Sequence, residues 1–198
     1  RAHNAITFDG GNGQVVYEER EQLGRGAITR FEHQAGYDIV TGDATPAYGG
    51  ALTRAERTLV YLRPDLVLVY DTLGSKLPRQ WEWNIHALQR MESVGTRQVR
   101  IRNGDAALCV QMLDGPATEF TQTERFTADP QGDDMPAQWH GAFVTRNRQT
   151  AAEFVTLLRV GCTNTPVSIR RAACGWSVAA AGRQVQLCRG DVGVTAEK

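Results

Sequence analysis

The chain has 198 residues, 41% of them hydrophobic and 22% charged, enough for one globular domain with its own core. Its 22 Lys and Arg balance 22 Asp and Glu, and a formal net charge of zero argues against non-specific binding to nucleic acid or a membrane surface. No apolar run approaches the length that a bilayer-spanning helix requires.

Taken in order, Ile6 to Phe8 and Val15 to Glu18 read as short strands around the turn cluster Asp9-Gly10-Gly11-Asn12-Gly13. Ala27 to Glu32 and Asp38 to Val40 follow, broken at Ala35-Gly36, and Gly42 to Gly50 reads as a loop. The densest apolar stretch is a hairpin of Leu59 to Leu62 with Leu66 to Tyr70. It turns at Arg63-Pro64-Asp65, where proline presets the bend and cannot donate to a ladder. Leu66-Val67-Leu68-Val69-Tyr70 does not alternate, so both of its faces should be covered.

Past a connection over Leu73 to Pro78, the next strand alternates cleanly. Trp81, Trp83, Ile85 and Ala87 lie on one side, and Gln80, Glu82, Asn84 and His86 on the other. The first face belongs to the core. The second is expected to be solvated, to line a saccharide groove, or to meet another domain.

Asn103-Gly104 predicts a two-residue turn between Arg97–Arg102 and Ala106–Met112, pairing Val99 with Leu108 and Ile101 with Ala106. Thr118 to Gln122 is expected to extend that sheet, and Thr123 to Gln138 is a polar surface loop. Trp139–Thr145, Glu153–Val160 and Val167–Ala172 are further strands, and a last hairpin, Trp176–Ala180 with Val185–Leu187, turns at Ala181-Gly182. The period of two, with frequent breakers, predicts an all-β fold: an antiparallel β-sandwich of two packed sheets with few or no helices, a single domain over residues 1–198.

Cys109, Cys162, Cys174 and Cys188 show no Cys-x-x-Cys spacing, which speaks against a cysteine zinc site. A tight turn at Ala181-Gly182 sets Trp176 opposite Leu187 and Val178 opposite Val185. That register puts Cys174 and Cys188 on opposite faces, so all four cysteines are expected to be reduced and mostly buried.

None of His3, His33, His86 and His140 falls in a metal-ligand spacing. His86 shares its strand face with Asn84 and Glu82, and these three are candidate substrate-binding residues. Tyr48 joins them because it is the one tyrosine, set against Tyr61 and Tyr70 in the predicted core, that is expected near solvent. Trp139, beside the polar loop, is the tryptophan free to stack on a sugar.

Gly42-Asp43-Ala44-Thr45-Pro46-Ala47-Tyr48, Leu52-Thr53-Arg54, Leu62-Arg63-Pro64-Asp65 and Trp83-Asn84-Ile85-His86-Ala87 resemble the heparinase II/III-like polysaccharide lyases. The opening Ala2 to Gly10 is similar to the segment that begins the C-terminal β-sandwich part of that family. The resemblance implies β-elimination on an acidic, uronic-acid-containing polysaccharide by a bacterial, periplasmic or secreted enzyme. In it, an upstream helical toroid supplies most catalytic groups and the β-sandwich supports the substrate cleft. A start at Arg1, without methionine or a signal segment, fits a C-terminal piece of such a protein.

The resemblance further implies a structural zinc in the full-length protein, held through a histidine at the position of His3 with companion ligands upstream. No catalytic residue of the family falls within this stretch, and the chain alone is expected to be inactive. Two other readings stand beside this one. The first is a carbohydrate-binding or structural module; the second is a self-contained sandwich lyase using the His86 row with Arg54 or Arg57.

Overall fold

A computed structural model describes residues 3–15, 25–125 and 138–196, and it is all-β apart from one 3-10 turn at Thr45–Tyr48. In chain order the strands are β1 (Ile6–Phe8), β2 (Ala27–Gln34), β3 (Tyr37–Asp43), β4 (Arg54–Leu62), β5 (Leu66–Arg79), β6 (Trp81–Ala87), β7 (Glu92–Ser93) and β8 (Gln98–Asn103). They continue as β9 (Ala106–Asp114), β10 (Thr118–Thr123), β11 (Trp139–Thr145), β12 (Gln149–Val160), β13 (Val167–Ala172), β14 (Gly175–Ala180), β15 (Arg183–Cys188) and β16 (Asp191–Ala196). Of the strand expected over Val15 to Glu18, Val15 lies outside any strand and the rest falls outside the described residues.

The strands form three antiparallel sheets, where alternation alone predicts two. An eight-stranded sheet, β2-β3-β4-β5-β12-β9-β8-β7, is the middle layer between the four-stranded sheets β1-β6-β11-β10 and β13-β14-β15-β16. The unalternating run at the start of β5 is the reason. Val67 and Val69 face the β1-β6-β11-β10 layer, Leu66, Leu68 and Tyr70 face the other, and both sets pack into apolar clusters.

The first core holds Trp81, Trp83 and Ile85 from β6 and Phe143 from β11 against Val69, Leu73, Val110, Met112 and Phe154. The second holds Trp176, Val178, Val185 and Leu187 against Ile39, Val60, Leu62, Leu68 and Leu157. Each fully buried aliphatic side chain contributes about 1.5–3 kcal/mol.

Several local expectations change. β5 does not break at Leu73 but runs to Arg79, with Gly74 paired to Arg54 on one side and Ala151 on the other; a Cβ at Gly74 would come 2.9 Å from Thr53 Oγ1. The β8–β9 turn is Gly104-Asp105, with Asn103 still paired to Ala106. Val99 therefore faces Val110 and Ile101 faces Leu108, two residues from the expected register but on the same faces. Gly104, with φ 56°, takes the first turn position, which leaves asparagine in the ladder. β10 does not extend that hairpin; it pairs with β11 at the edge of the first four-stranded sheet.

The cysteines are the largest correction. Cys109 is bonded to Cys162 and Cys174 to Cys188, with Cα separations of 4.9 and 5.2 Å. The expected register of the last hairpin holds, Trp176 facing Leu187 and Val178 facing Val185 across Ala181 and Gly182, both at positive φ. Cys174, however, lies outside β14, beyond Gly175 at φ 155°, where strand alternation no longer dictates direction. Only Cys109 is buried; Cys162 and Cys188 are half-buried and Cys174 is exposed.

Candidate functional site

The polar face of β6 is closed to solvent at Glu82 and Asn84 and open only toward His86. Glu82 and Asn84 are buried, Asn84 completely, because β1 and β11 flank β6, and each side-chain polar atom of these two residues has a partner. Glu82 accepts a short hydrogen bond from the Thr7 hydroxyl and another from Gly10 N at 2.7 Å. Asn84 Nδ2 donates to Ala5 O at 2.7 Å and to Thr7 Oγ1 at 2.9 Å, and its Oδ1 lies 2.8 Å from His140 Nε2.

His140 stands opposite His86 on β11, and the two rings lie 4.8 Å apart at 32°. His86 Nδ1 lies 2.8 Å from Asn4 Oδ1, which also accepts from His86 N at 2.9 Å. A continuous line of polar contacts thus runs from the half-exposed histidine pair inward through Asn84 and Thr7 to Glu82. Glu82 and Asn84, expected at a sugar-facing surface, lie inside this line and can position their neighbours. His86 stands at its open end.

Beside this seam, Arg57 and Asp71 on β4 and β5 form a bidentate pair, Nε to Oδ1 at 2.6 Å and Nη2 to Oδ2 at 3.1 Å. Asp71 also accepts from Trp83 Nε1 at 2.9 Å, and Arg57 Nη1 donates to Asn4 O at 2.6 Å. Burial alone would lower the arginine's pKa, but the Asp71 carboxylate outweighs it and holds the guanidinium more firmly charged. The pair therefore pins the start of β1, and with it Asn4, against the middle sheet.

His3, Asn4, Gln14, Tyr48, Glu56 and Arg57 line a cleft of about 290 Å³ at this place. Tyr48, expected near solvent, is 2% exposed; its hydroxyl donates to Ile6 O at 2.7 Å, and burial pushes its pKa up to about 12. Tyr61, expected in the core, is half-buried and donates to Pro64 O at 2.7 Å. Tyr70 is buried as expected, and its pKa is raised by burial and then by Glu153. Trp139 is half-buried, packed against the first core with the Arg90 guanidinium 5.7 Å from its ring centre.

His3 is exposed at the cleft's lip. Among the described residues no three of His, Cys, Asp and Glu gather as metal ligands, and Asp71, the buried carboxylate of the cleft, is taken by Arg57 and Trp83. The described residues alone do not assemble the zinc site that the resemblance implies, whose companion ligands would precede this stretch.

Sequence reasoning missed Asn4, Thr7, Asp71 and His140 as members of the site. The cross-strand pairings of β1 and β11 with β6 bring Thr7 and His140 to the row, and no local spacing encodes those.

The family described as heparinase II/III-like, C-terminal matches residues 1–184. Solved structures share the fold. A heparan sulfate lyase HepC from Pedobacter heparinus aligns with a TM-score of 0.69 at 15% identity, over 99% of this chain and 30% of that one. A heparinase III aligns with a TM-score of 0.67 at 12% identity, over 98% and 29%. The chain thus spans about a third of the structures it resembles. No curated protein matches it.

Proposed function

The chain belongs to the heparinase II/III-like C-terminal family, and from that premise we propose that it is the C-terminal β-sandwich domain of a lyase cleaving uronic-acid-containing polysaccharides. The match over residues 1–184 carries this reading. In β-elimination a base removes the C5 proton, the bond from C4 to O4 breaks, and the leaving O4 takes a proton. Several groups must therefore converge on one sugar ring.

The described tyrosines support a non-catalytic role for this domain. Tyr37, Tyr48, Tyr61 and Tyr70 each donate their hydroxyl to an acceptor within the domain. In this reading His86 and Trp139 wall the substrate cleft at its exposed rim, while Asn84, Glu82 and Tyr48 hold the strands that present them. The two disulfides fit an oxidising location, periplasmic or secreted.

The test is the natural polypeptide that carries this chain, incubated with heparin, heparan sulfate, alginate, polyglucuronate and a neutral glucan. Ultraviolet-absorbing unsaturated uronate should appear from an acidic polymer and not from the glucan. No product from any acidic polymer would sink the reading.

A further inference from the structure

The β1-β6-β11-β10 layer stops short of covering its side of the middle sheet. The register extends that face outward from the core: Val69 stands opposite Leu59, Leu59 opposite Val40, and Val40 opposite Phe31. In the adjacent row Asp71 leads through Arg57 and Gly42 to Ile28. The residues nearest the core are covered, yet Leu59 is 38% exposed, Ile28 68% and Phe31 70%.

The reverse side of these strands is closed. Ile39, Val60 and Leu62 are fully buried under β13–β16, and Arg30 Nη1 reaches across to Val192 O at 2.5 Å. Single exposed apolar residues are ordinary, but three aligned on one face of neighbouring strands, with the opposite face sealed, mark a contact surface.

Two observations identify the occupant. Arg57 Nη1 holds Asn4 O at 2.6 Å, which sets the first described residues beside the row that ends at Ile28, two strand spacings or about 10 Å away. The structures sharing the fold are also more than three times as long, this chain covering 30% of them, and the family is described as C-terminal, so their remaining length precedes the shared part.

We propose that Ile28, Phe31 and Leu59 form the docking face for the preceding domain of the same polypeptide. That domain would present an apolar patch to β2–β4, next to the cleft lined by His3, Asn4 and Arg57. The inference rests on the C-terminal-domain reading above.

Amide hydrogen exchange compares this chain with the natural polypeptide that carries it. Amides of β2 and β3 should exchange at least about tenfold more slowly in the longer protein, with the β8–β9 hairpin unchanged. Phe31→Arg in the longer protein should return β2 and β3 to the rates of the chain alone. In the chain alone it should leave the melting temperature where it was, because the side chain touches solvent.

Equal β2 and β3 rates in both proteins would overturn the proposal. So would protection in the chain alone that grows with concentration, since a second copy would then be the occupant. Lyase assays on the same samples separate the two readings. Activity without protection removes the docking face and keeps the function; protection without activity on acidic polysaccharides does the reverse.

Discussion

The two cores on either side of the middle sheet are sealed by different means. The second, under β13–β16, is apolar, and the Cys174–Cys188 bond ties the loop before β14 to the end of β15. The first, under β1-β6-β11-β10, contains a charged pair and is backed by a row of buried polar groups on the far side of β6. Apolar burial suffices where a layer only has to stay closed. Polar groups matched atom by atom fix the position of β1 and the histidine pair, so the costly device stands where geometry has to be held.

The tryptophans give the largest contrast. Trp83→Ala and Trp176→Ala should each cost about 3–5 kcal/mol in urea unfolding, as buried large aromatics do. Phenylalanine should separate them. Trp83→Phe leaves Asp71 without one of its donors, whereas the indole N–H of Trp176 has no acceptor among the described residues. Trp83→Phe should therefore be the worse by about 1–3 kcal/mol. Equal losses would mean that the Asp71 contact adds nothing.

The disulfides come next. Cys109–Cys162 closes a separation of 53 residues and Cys174–Cys188 one of 14. The chain-entropy relation predicts losses of about 4 and about 3 kcal/mol on replacing each pair with alanine. A thiol count showing four free sulfhydryls in the unfolded, unreduced chain would remove both bonds from the account.

Glu82→Ala should follow, at about 1–3 kcal/mol, since it strands the Thr7 hydroxyl and Gly10 N. A neutral effect would return Glu82 to a solvated surface.

The smallest effect is a pH dependence at the corner joining β5 to β6. Burial pushes the Asp9 pKa up, but the Gln80 amide, Arg79 and Arg148 outweigh it, and the net shift is down. The folded value lies below the unfolded one of about 3.9. The stability that Asp9 adds is then present above about pH 4 and is lost as pH falls through the folded pKa. Asp9→Asn should flatten the acid limb of a stability–pH curve, and an unchanged limb would contradict the assignment.

Much of this contrast was legible in the residues. The run from Leu66 to Tyr70 declared a strand covered on both faces, and Trp81 to Ala87 declared which side of β6 is core. What stayed hidden depended on pairing across long separations. Glu82 and Asn84 look like a solvated row until β1 and β11 flank them, and Cys174 looks misplaced for Cys188 until Gly175 ends the alternation. His140 carries no local signal, because its partner Asn84 lies 56 residues away.

A domain that only holds and walls a cleft, with the reacting groups supplied from elsewhere, should fold alone and turn over nothing. The direct measurement is ultraviolet-detected turnover of heparin, heparan sulfate, alginate and polyglucuronate by the purified chain, shown to be folded by a cooperative unfolding transition. The expected result is a folded chain with no turnover. Turnover that survives repurification and disappears in His86→Ala would contradict it, and would make the chain a self-contained lyase acting through the His86 and His140 seam.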